Sequence, residues 1–288
     1  MTAYGGGKAR LGKQIYKAIK EIQEKMNWYS DTYIEPFCGM LGVAKYFISF
    51  PGEKLAKKES PECLKKKSVS SKRRSRARRI SSMTDYKKII LSDANKDIIL
   101  MWKKLKRGGW TLPRTCGREK YEDLKASKKH SADRGFYGVS CAYSGIFFAG
   151  YRPKSKRQNF FKKSRENISE TGKLLKLNSR RIKLTCSSYR DFKPKGMTIY
   201  CDPPYEDNKF NIKHFNDFDS KLFWDTMRKW SKDNLVIISE YKAPKDFKCV
   251  WKKDTKSVFS GKSKTRVEKL FMYLPDLPDK PRKSIKKI

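Results

Sequence analysis

An apolar run, Met197-Thr198-Ile199-Tyr200, leads through Cys201 into Asp202-Pro203-Pro204-Tyr205. Neither proline ring can donate a backbone hydrogen bond, so the pair stops strand pairing at a defined point. The residue before each proline is also pushed out of the helical region. The stretch reads as a strand that ends abruptly and presents the Asp202 carboxylate, the Pro203 carbonyl and the Tyr205 ring in a fixed array. Such an array is suited to accepting hydrogen bonds from a flat amino-bearing ring while stacking on its face. A rigid turn with a chance acid is the plainer alternative.

The charge balance narrows the partners. Lys plus Arg number 69 and Asp plus Glu 30, a net charge of +39 over 288 residues. That excess opposes compaction by self-repulsion and favours a polyanion. Nucleic acid is the first expectation. An acidic membrane surface comes second, because no long amphipathic apolar helix accompanies the charge. With 38% hydrophobic residues, the chain can build one large domain or two small ones.

The seven cysteines are scattered and odd in number, and none forms C-x-x-C. This fits a reducing compartment better than a disulfide framework. His130 and His214 are the only histidines, so no metal site is expected. The first residues carry no apolar signal-peptide core, and no run is long enough to span a bilayer. The expectation is a soluble intracellular protein with no membrane association, cytoplasmic, or nuclear in a eukaryotic or viral setting.

Along the chain, Ile15, Ile19, Ile22 and Met26 recur at helical spacing and predict a helix over 13–27. Thr32-Tyr33-Ile34 predicts a strand, and 42–50 a helix closed by Pro51-Gly52. Residues 53–87 are basic and Ser-rich with few large apolar groups, and read as a flexible insertion. A solvated loop, a DNA-backbone tether or a nuclear-import signal all fit it. Residues 88–93 predict a second strand, and 97–106 a helix with Ile98, Ile99, Trp102 and Leu105 inward. From 110 to 185 the pattern loosens into short aromatic and basic pieces. Further on come the strand at 196–201, a helix at 220–231 with Leu222, Phe223, Thr226, Met227 and Trp230 inward, and a buried strand at 235–239. Residues 247–251 and 269–274 are candidate last strands. Strands alternating with helices predict an α/β domain with a mainly parallel sheet.

Three further motifs carry chemistry. Glu35-Pro36-Phe37-Cys38-Gly39-Met40-Leu41-Gly42 sits at a strand-to-helix junction, where glycines permit a tight turn and close approach of a ligand. It lacks the G-x-G-x-x-G spacing, so nicotinamide binding is not implied. Asp93 ends the next strand, where an acid can take both hydroxyls of a ribose or cap the following helix. Tyr4-Gly5-Gly6-Gly7-Lys8 opens the chain. It is not a P-loop, and it leads straight into the first helix.

These four pieces, in this order, resemble the Dam-like (D12-class) DNA adenine-N6 methyltransferases. Tyr4-Gly5-Gly6-Gly7-Lys8 is similar to the family's Y-x-G-x-K motif, and Glu35-Pro36-Phe37-Cys38-Gly39 to its E-P-F-x-G cofactor motif. Leu91-Ser92-Asp93 is similar to its ribose-binding strand end, and Asp202-Pro203-Pro204-Tyr205 to its D-P-P-Y catalytic motif. A weaker likeness runs through 186–191 and 236–241. The resemblance implies a Rossmann-like α/β fold with an inserted target-recognition segment, and S-adenosylmethionine as methyl donor. It implies that Tyr4, Gly7, Lys8, Glu35, Pro36, Phe37, Gly39, Asp93, Tyr189 and Asp202 hold that donor, and that Asp202, Pro203, Pro204 and Tyr205 are catalytic. The domain plan it implies is a catalytic domain over 1–109 and 186–277, the insertion at 53–87, target recognition at 110–185 and a basic tail at 278–288.

The expected chemistry follows from charge. Adenine N6 is a poor nucleophile because its lone pair is delocalised into the ring. Hydrogen bonds to Asp202 and to the Pro203 carbonyl would localise that pair and accept developing positive charge. A duplex hides N6, so the base must flip out. Tyr151, Arg152, Lys154, Lys156, Arg157, Gln158 and Asn159 are the expected DNA contacts in the middle segment. Lys262, Lys264 and Arg266, in an expected loop, are a second set, with a solvated loop as the alternative. Double-stranded DNA is the expected partner, with a cognate restriction endonuclease a further candidate and a monomer or weak dimer the expected state. An RNA adenine or cytosine-N4 methyltransferase, and a basic DNA-binding protein that has lost catalysis on the same fold, stay open as alternatives.

Overall fold

The computed structural model describes residues 8–49, 86–152, 159–205, 218–259 and 262–275, with no side-chain description for 256–265. Tyr4, Gly7, Lys154, Lys156, Arg157, Gln158, nearly all of the 53–87 insertion and the 278–288 tail lie outside the described residues. The chain divides into two compact units, Met1–Asp191 and Phe192–Ile288. Both mix helices and parallel strands, which is the α/β class read from the sequence.

In the first unit, α1 (Gly12–Lys25) buries Ile15 and Ile19 completely. The stripe then continues four residues on, at Gln23, whose Oε1 accepts from Lys20. Met26, expected on this face, is half exposed just past the helix end. Strands β1 (Thr32–Glu35), β2 (Lys88–Asp93) and β3 (Ile182–Cys186) pair in parallel in the order β3-β2-β1. Helix α2 (Ala44–Ser49) follows β1, and α3 (Lys96–Arg107) follows β2. The Asn95 side chain caps α3 by accepting from Asp97 and Ile98.

The segment that reads as loose pieces contains three helices, α4 (Arg118–Ala126), α5 (Ala132–Ser140) and α6 (Phe160–Leu177). The inner face of α6 explains why its periodicity is faint. It is written as Ser164, Ile168, Thr171, Gly172 and Leu175, a helical stripe made partly of small polar residues. Gly172 faces Leu105 of α3 so closely that a methyl group there would meet it at 3.1 Å. Buried Asp97 joins α3 to α5, accepting from Ser131 N at 2.7 Å and from Arg134 Nε at 3.0 Å. The Arg134 guanidinium also donates to the carbonyls of Leu124 and Ser127 where α4 ends.

Cys116 and Cys141 form a disulfide, with Cα atoms 5.9 Å apart. This corrects the expectation of unpaired cysteines. The partners are 25 residues apart, and only the folding back of α5 behind α4 brings them together. Cys38, Cys186, Cys201 and Cys249 are free thiols among the described residues.

In the second unit, β4 (Thr198–Cys201) pairs in parallel with β5 (Leu235–Glu240). Antiparallel β7 (Lys262–Tyr273) and β6 (Phe247–Phe259) extend the order to β4-β5-β7-β6. Helix α7 (Ser220–Trp230) is capped by Asp219 and buries Phe223, Trp224, Met227 and Trp230. Leu222, expected inward, is exposed, and Trp224 takes its place. The last two strands are far longer than the sequence suggests. The basic 262–266 stretch, expected as a loop, is strand, because β6 and β7, past one register shift between Cys249 and Trp251, stay paired out to Phe259↔Lys262. Among the described residues no helix is long and apolar enough to cross a membrane.

Candidate functional site

The first unit gathers two acids at the carboxyl ends of adjacent parallel strands. Glu35 is the last residue of β1 and Asp93 the last of β2. Ligands of open α/β sheets bind at such ends, where the strands stop and the loops fan out. Glu35 is 3% exposed and accepts from the Tyr33 hydroxyl at 2.5 Å. The loop after β1 is pinned from two sides. Gly39 N donates to Asp93 Oδ2 at 2.8 Å, and Trp102 Nε1 donates to the Gly39 carbonyl at 2.9 Å. Cys38 N donates to the Ser92 carbonyl, which ties the same loop to β2.

The backbone here is unusual. Gly39 has φ 43°, and Leu41 has φ 57° although it carries a side chain. A left-handed leucine costs roughly 1–2 kcal/mol, so the surrounding contacts must hold it there. Gly42 packs closely on the chain's first described residues: an added methyl would lie 3.0 Å from the Lys8 backbone carbon and 3.1 Å from Ala9 N, so the backbone there would have to give. The segment that follows the N-terminal glycines is thereby seated on this loop, and Lys8 itself is buried.

Asp93 receives one backbone amide on each oxygen, from Gly39 and from Asn95, both at 2.8 Å. Burial pushes its carboxyl above the ordinary value, and these two amides pull it back. Each oxygen keeps a second lone-pair direction. Asp93 can therefore hold the loop and still accept from a pair of neighbouring hydroxyls, whereas the helix-capping role read for it from the sequence falls to Asn95. Tyr189 is also in place. Its ring lies 5.3 Å from that of Phe37 at 36°, and its turn is closed by Ser188 N donating to Asp191. The Cys38 thiol is pushed well up by burial, then by the charges of Asp93 and Glu35.

In the second unit, Asp202-Pro203-Pro204-Tyr205 follows the last residue of β4 directly, as the prolines require. Tyr200 and Ser239 share a hydroxyl hydrogen bond of 2.8 Å that locks β4 to β5 just before the motif. Tyr205 is 9% exposed. Its hydroxyl donates to Glu268 Oε1 at 2.7 Å, and its ring meets Tyr241 edge to face at 4.7 Å. Burial pushes the Tyr205 phenol well up, with the negative charges of Asp202 and Glu268 adding to it. It therefore stays protonated and remains a donor. The Tyr205 ring is thus a packed side chain held at its tip, rather than the open stacking platform pictured from the motif alone.

Glu268 and Tyr241 complete this cluster, and motif reading did not single out Glu268. The signal was present: Glu268, Leu270 and Met272 share strand parity, and all three are buried. An acid on an apolar face of a lysine-rich strand needs a partner.

The expected DNA contacts are distributed differently. Tyr151 is turned inward, with its hydroxyl on the Cys116 carbonyl at 2.8 Å and its ring against Tyr121. The Arg152 guanidinium lies 3.4 Å from the centroid of Phe160 and 5.8 Å from that of the exposed Tyr143. Asn159 caps α6 by accepting from Lys162 N. Arg266 lies on β7 with its guanidinium 5.8 Å from the Tyr241 ring centroid. Lys262 and Lys264 are strand residues at the same parity as Arg266. Among the described residues, no group of three or more His, Cys, Asp or Glu is arranged to hold a metal ion.

No protein-family model and no curated protein matches this chain. Among solved structures it is similar to SMU.472 complexed with SAH, a protein whose assignment as a methyltransferase is provisional. The identity is 12% and the TM-score 0.33, over 91% of this chain and 53% of that one. The chain thus spans about half the length of that structure, and a likeness this remote carries no weight for fold or chemistry.

Proposed function

We propose that this protein is an S-adenosylmethionine-dependent DNA methyltransferase acting on adenine N6, of the Dam-like kind. What supports the reading is where its motifs fall. Glu35, Asp93 and Asp202 each stand at the carboxyl end of a parallel strand, Glu35 and Asp93 closing β1 and β2 and Asp202 directly after β4. That is where sheets of this class do their chemistry, and chance acids would not favour it.

When bound, S-adenosylmethionine supplies a methyl group on a sulfonium, already activated for transfer. The residues that would hold it are those of the pinned first-unit loop. Asp93 has lone pairs left for the two ribose hydroxyls. Glu35 offers a buried carboxylate to the cationic amino group, and the Phe37 and Tyr189 rings offer flat faces to the adenine. The left-handed turn at Gly39 and Leu41 lets a ligand approach the backbone closely.

In the second unit, the Asp202 carboxylate and the Pro203 carbonyl accept hydrogen bonds from the adenine amino group. They draw its lone pair out of the ring and stabilise the positive charge that grows as N6 attacks. Asp202 also receives the proton that N6 must shed. Tyr205, fixed by Glu268 and packed on Tyr241, anchors the end of the motif at which the flipped base is received.

The test is incubation with labelled S-adenosylmethionine and unmethylated DNA, followed by mapping of N6-methyladenine by long-read sequencing. Methyladenine at one short motif is the expected result. Asp202→Ala should leave DNA binding largely intact and transfer no methyl. Transfer by that variant would sink the assigned chemistry, and incorporation into RNA alone would move the substrate from DNA to RNA.

A further inference from the structure

Strands β6 and β7 stay paired from Phe247↔Tyr273 out to Phe259↔Lys262, whereas β5 meets β7 only from Lys269 to Phe271. Beyond Glu268, therefore, the two strands run on as a ribbon that, among the described residues, pairs with no third strand. Lys262 lies six positions along the strand from Glu268, roughly 20 Å of extended chain. The ribbon is basic. Lys252, Lys253, Lys256, Lys262, Lys264 and Arg266 face a single acid in the same stretch, Asp254. Lys252, Lys253 and Arg266 are exposed. The other nearby acid, Glu268, is buried and engaged by Tyr205.

The order along β7 gives the ribbon a direction. Glu268, Arg266, Lys264 and Lys262 occupy alternate positions, one face of a pleated strand. The inner end of this row holds the Tyr205 hydroxyl. The next position, Arg266, reaches Tyr241, its NH1 3.5 Å from the hydroxyl, and Tyr241 is the ring packed on Tyr205. Lys264 and Lys262 follow at the next two alternate positions of the strand.

We propose that this ribbon is a nucleic-acid arm, which lies along the sugar-phosphate backbone of double-stranded DNA and holds the duplex at the Tyr205 end. The choice of DNA rests on the methyltransferase reading. The shape fits, since a two-stranded ribbon is one of the two elements a major groove admits. The charge fits, since rows of Lys and Arg bind phosphates without reading sequence. Lysines on an edge strand have another use, to keep sheets from pairing edge to edge. The two accounts differ in their dependence on salt.

The test uses the full chain and the variant Lys253→Gln/Lys262→Gln/Lys264→Gln/Arg266→Gln. Binding of a short fluorescent DNA duplex is followed by anisotropy across a salt series. Affinity should fall roughly tenfold or more, alike for all sequences, and the slope of log K against log salt should shrink by about 0.9 for each phosphate contact removed. The variant Lys253→Arg/Lys262→Arg/Lys264→Arg should keep the wild-type slope, which separates lost charge from lost fold. An unchanged slope and affinity in the glutamine variant overturns the arm. So does self-association of that variant with the slope intact, which would assign the lysines to edge protection. Equal or tighter binding of the wild type to phosphatidylserine vesicles than to the duplex, lost in the same variant, overturns it in favour of a membrane surface. A reduced slope in a protein that never methylates DNA would keep the arm and discard the enzyme; methylation with the slope unchanged would do the reverse.

Discussion

Gly12→Ala sets two effects of opposite sign against each other. Gly12 is the first residue of α1, and alanine is the better helix former by about 1 kcal/mol. Propensity alone therefore predicts a more stable protein. The packing predicts the opposite. A methyl on Gly12 would lie 2.0 Å from the Gly42 carbonyl oxygen, 2.9 Å from its carbon and 2.9 Å from Tyr46. The oxygen is backbone, so no side chain can swing away. The helix and the glycine loop would have to part by about 1 Å, and overpacking of this kind costs about 1–3 kcal/mol. The net expectation is a loss of up to about 2 kcal/mol, or up to roughly 6 °C in the melting temperature of a unit this size. The strained loop at Gly39–Gly42 is what moves, so on the proposed function affinity for S-adenosylmethionine should fall as well, while Lys13→Ala on the exposed side of the same helix leaves both unchanged. Urea denaturation and calorimetric titration of the cofactor read the two quantities. A Gly12→Ala protein that is more stable than wild type, with cofactor affinity intact, would refute the close approach of Gly12 and Gly42.

Three further outcomes are expected. Tyr205→Phe leaves the buried Glu268 carboxylate without its hydroxyl donor and should cost about 1–3 kcal/mol. Combined with Glu268→Gln in a double-mutant cycle, the two losses should total less than their sum, and strict additivity in urea melts would disprove the contact. Burial holds the Cys38 thiol protonated, so native protein at pH 8 should resist thiol reagents at Cys38 until it is unfolded; ready labelling there in the folded state would contradict its placement. Asp246 accepts from Arg228 at 2.5 and 2.9 Å, which holds its carboxyl below the ordinary value. The folded pKa is the lower one, so the stabilisation is present above the unfolded pKa and fades as pH falls through the folded value. Arg228→Met should remove about 1 kcal/mol at neutral pH and little in strong acid, as followed by urea melts at several pH values, and an equal loss at both would exclude an ionic role.

The sequence by itself determined the strand ends. Two prolines stop β4 wherever it pairs, because the missing amides are a covalent fact, and Asp202 therefore stands at its end. Alternating strand and helix patterns likewise determined the α/β class and put Glu35 and Asp93 at strand ends. What only the tertiary structure decided was everything that depends on a distant partner. Gly39 meets Asp93 across 54 residues, and Tyr205 meets Glu268 across 63. No local pattern encodes such pairs, since each is chosen by strand register. The helix α6 escaped notice because Ser164, Thr171 and Gly172 are buried for their small size, which a hydrophobic period does not register. The disulfide and the length of the last ribbon were hidden for the same kind of reason. Cys116 and Cys141 are brought together by a helical hairpin, and the basic 262–266 stretch is strand because β6 supplies its hydrogen bonds, against what its own composition favours.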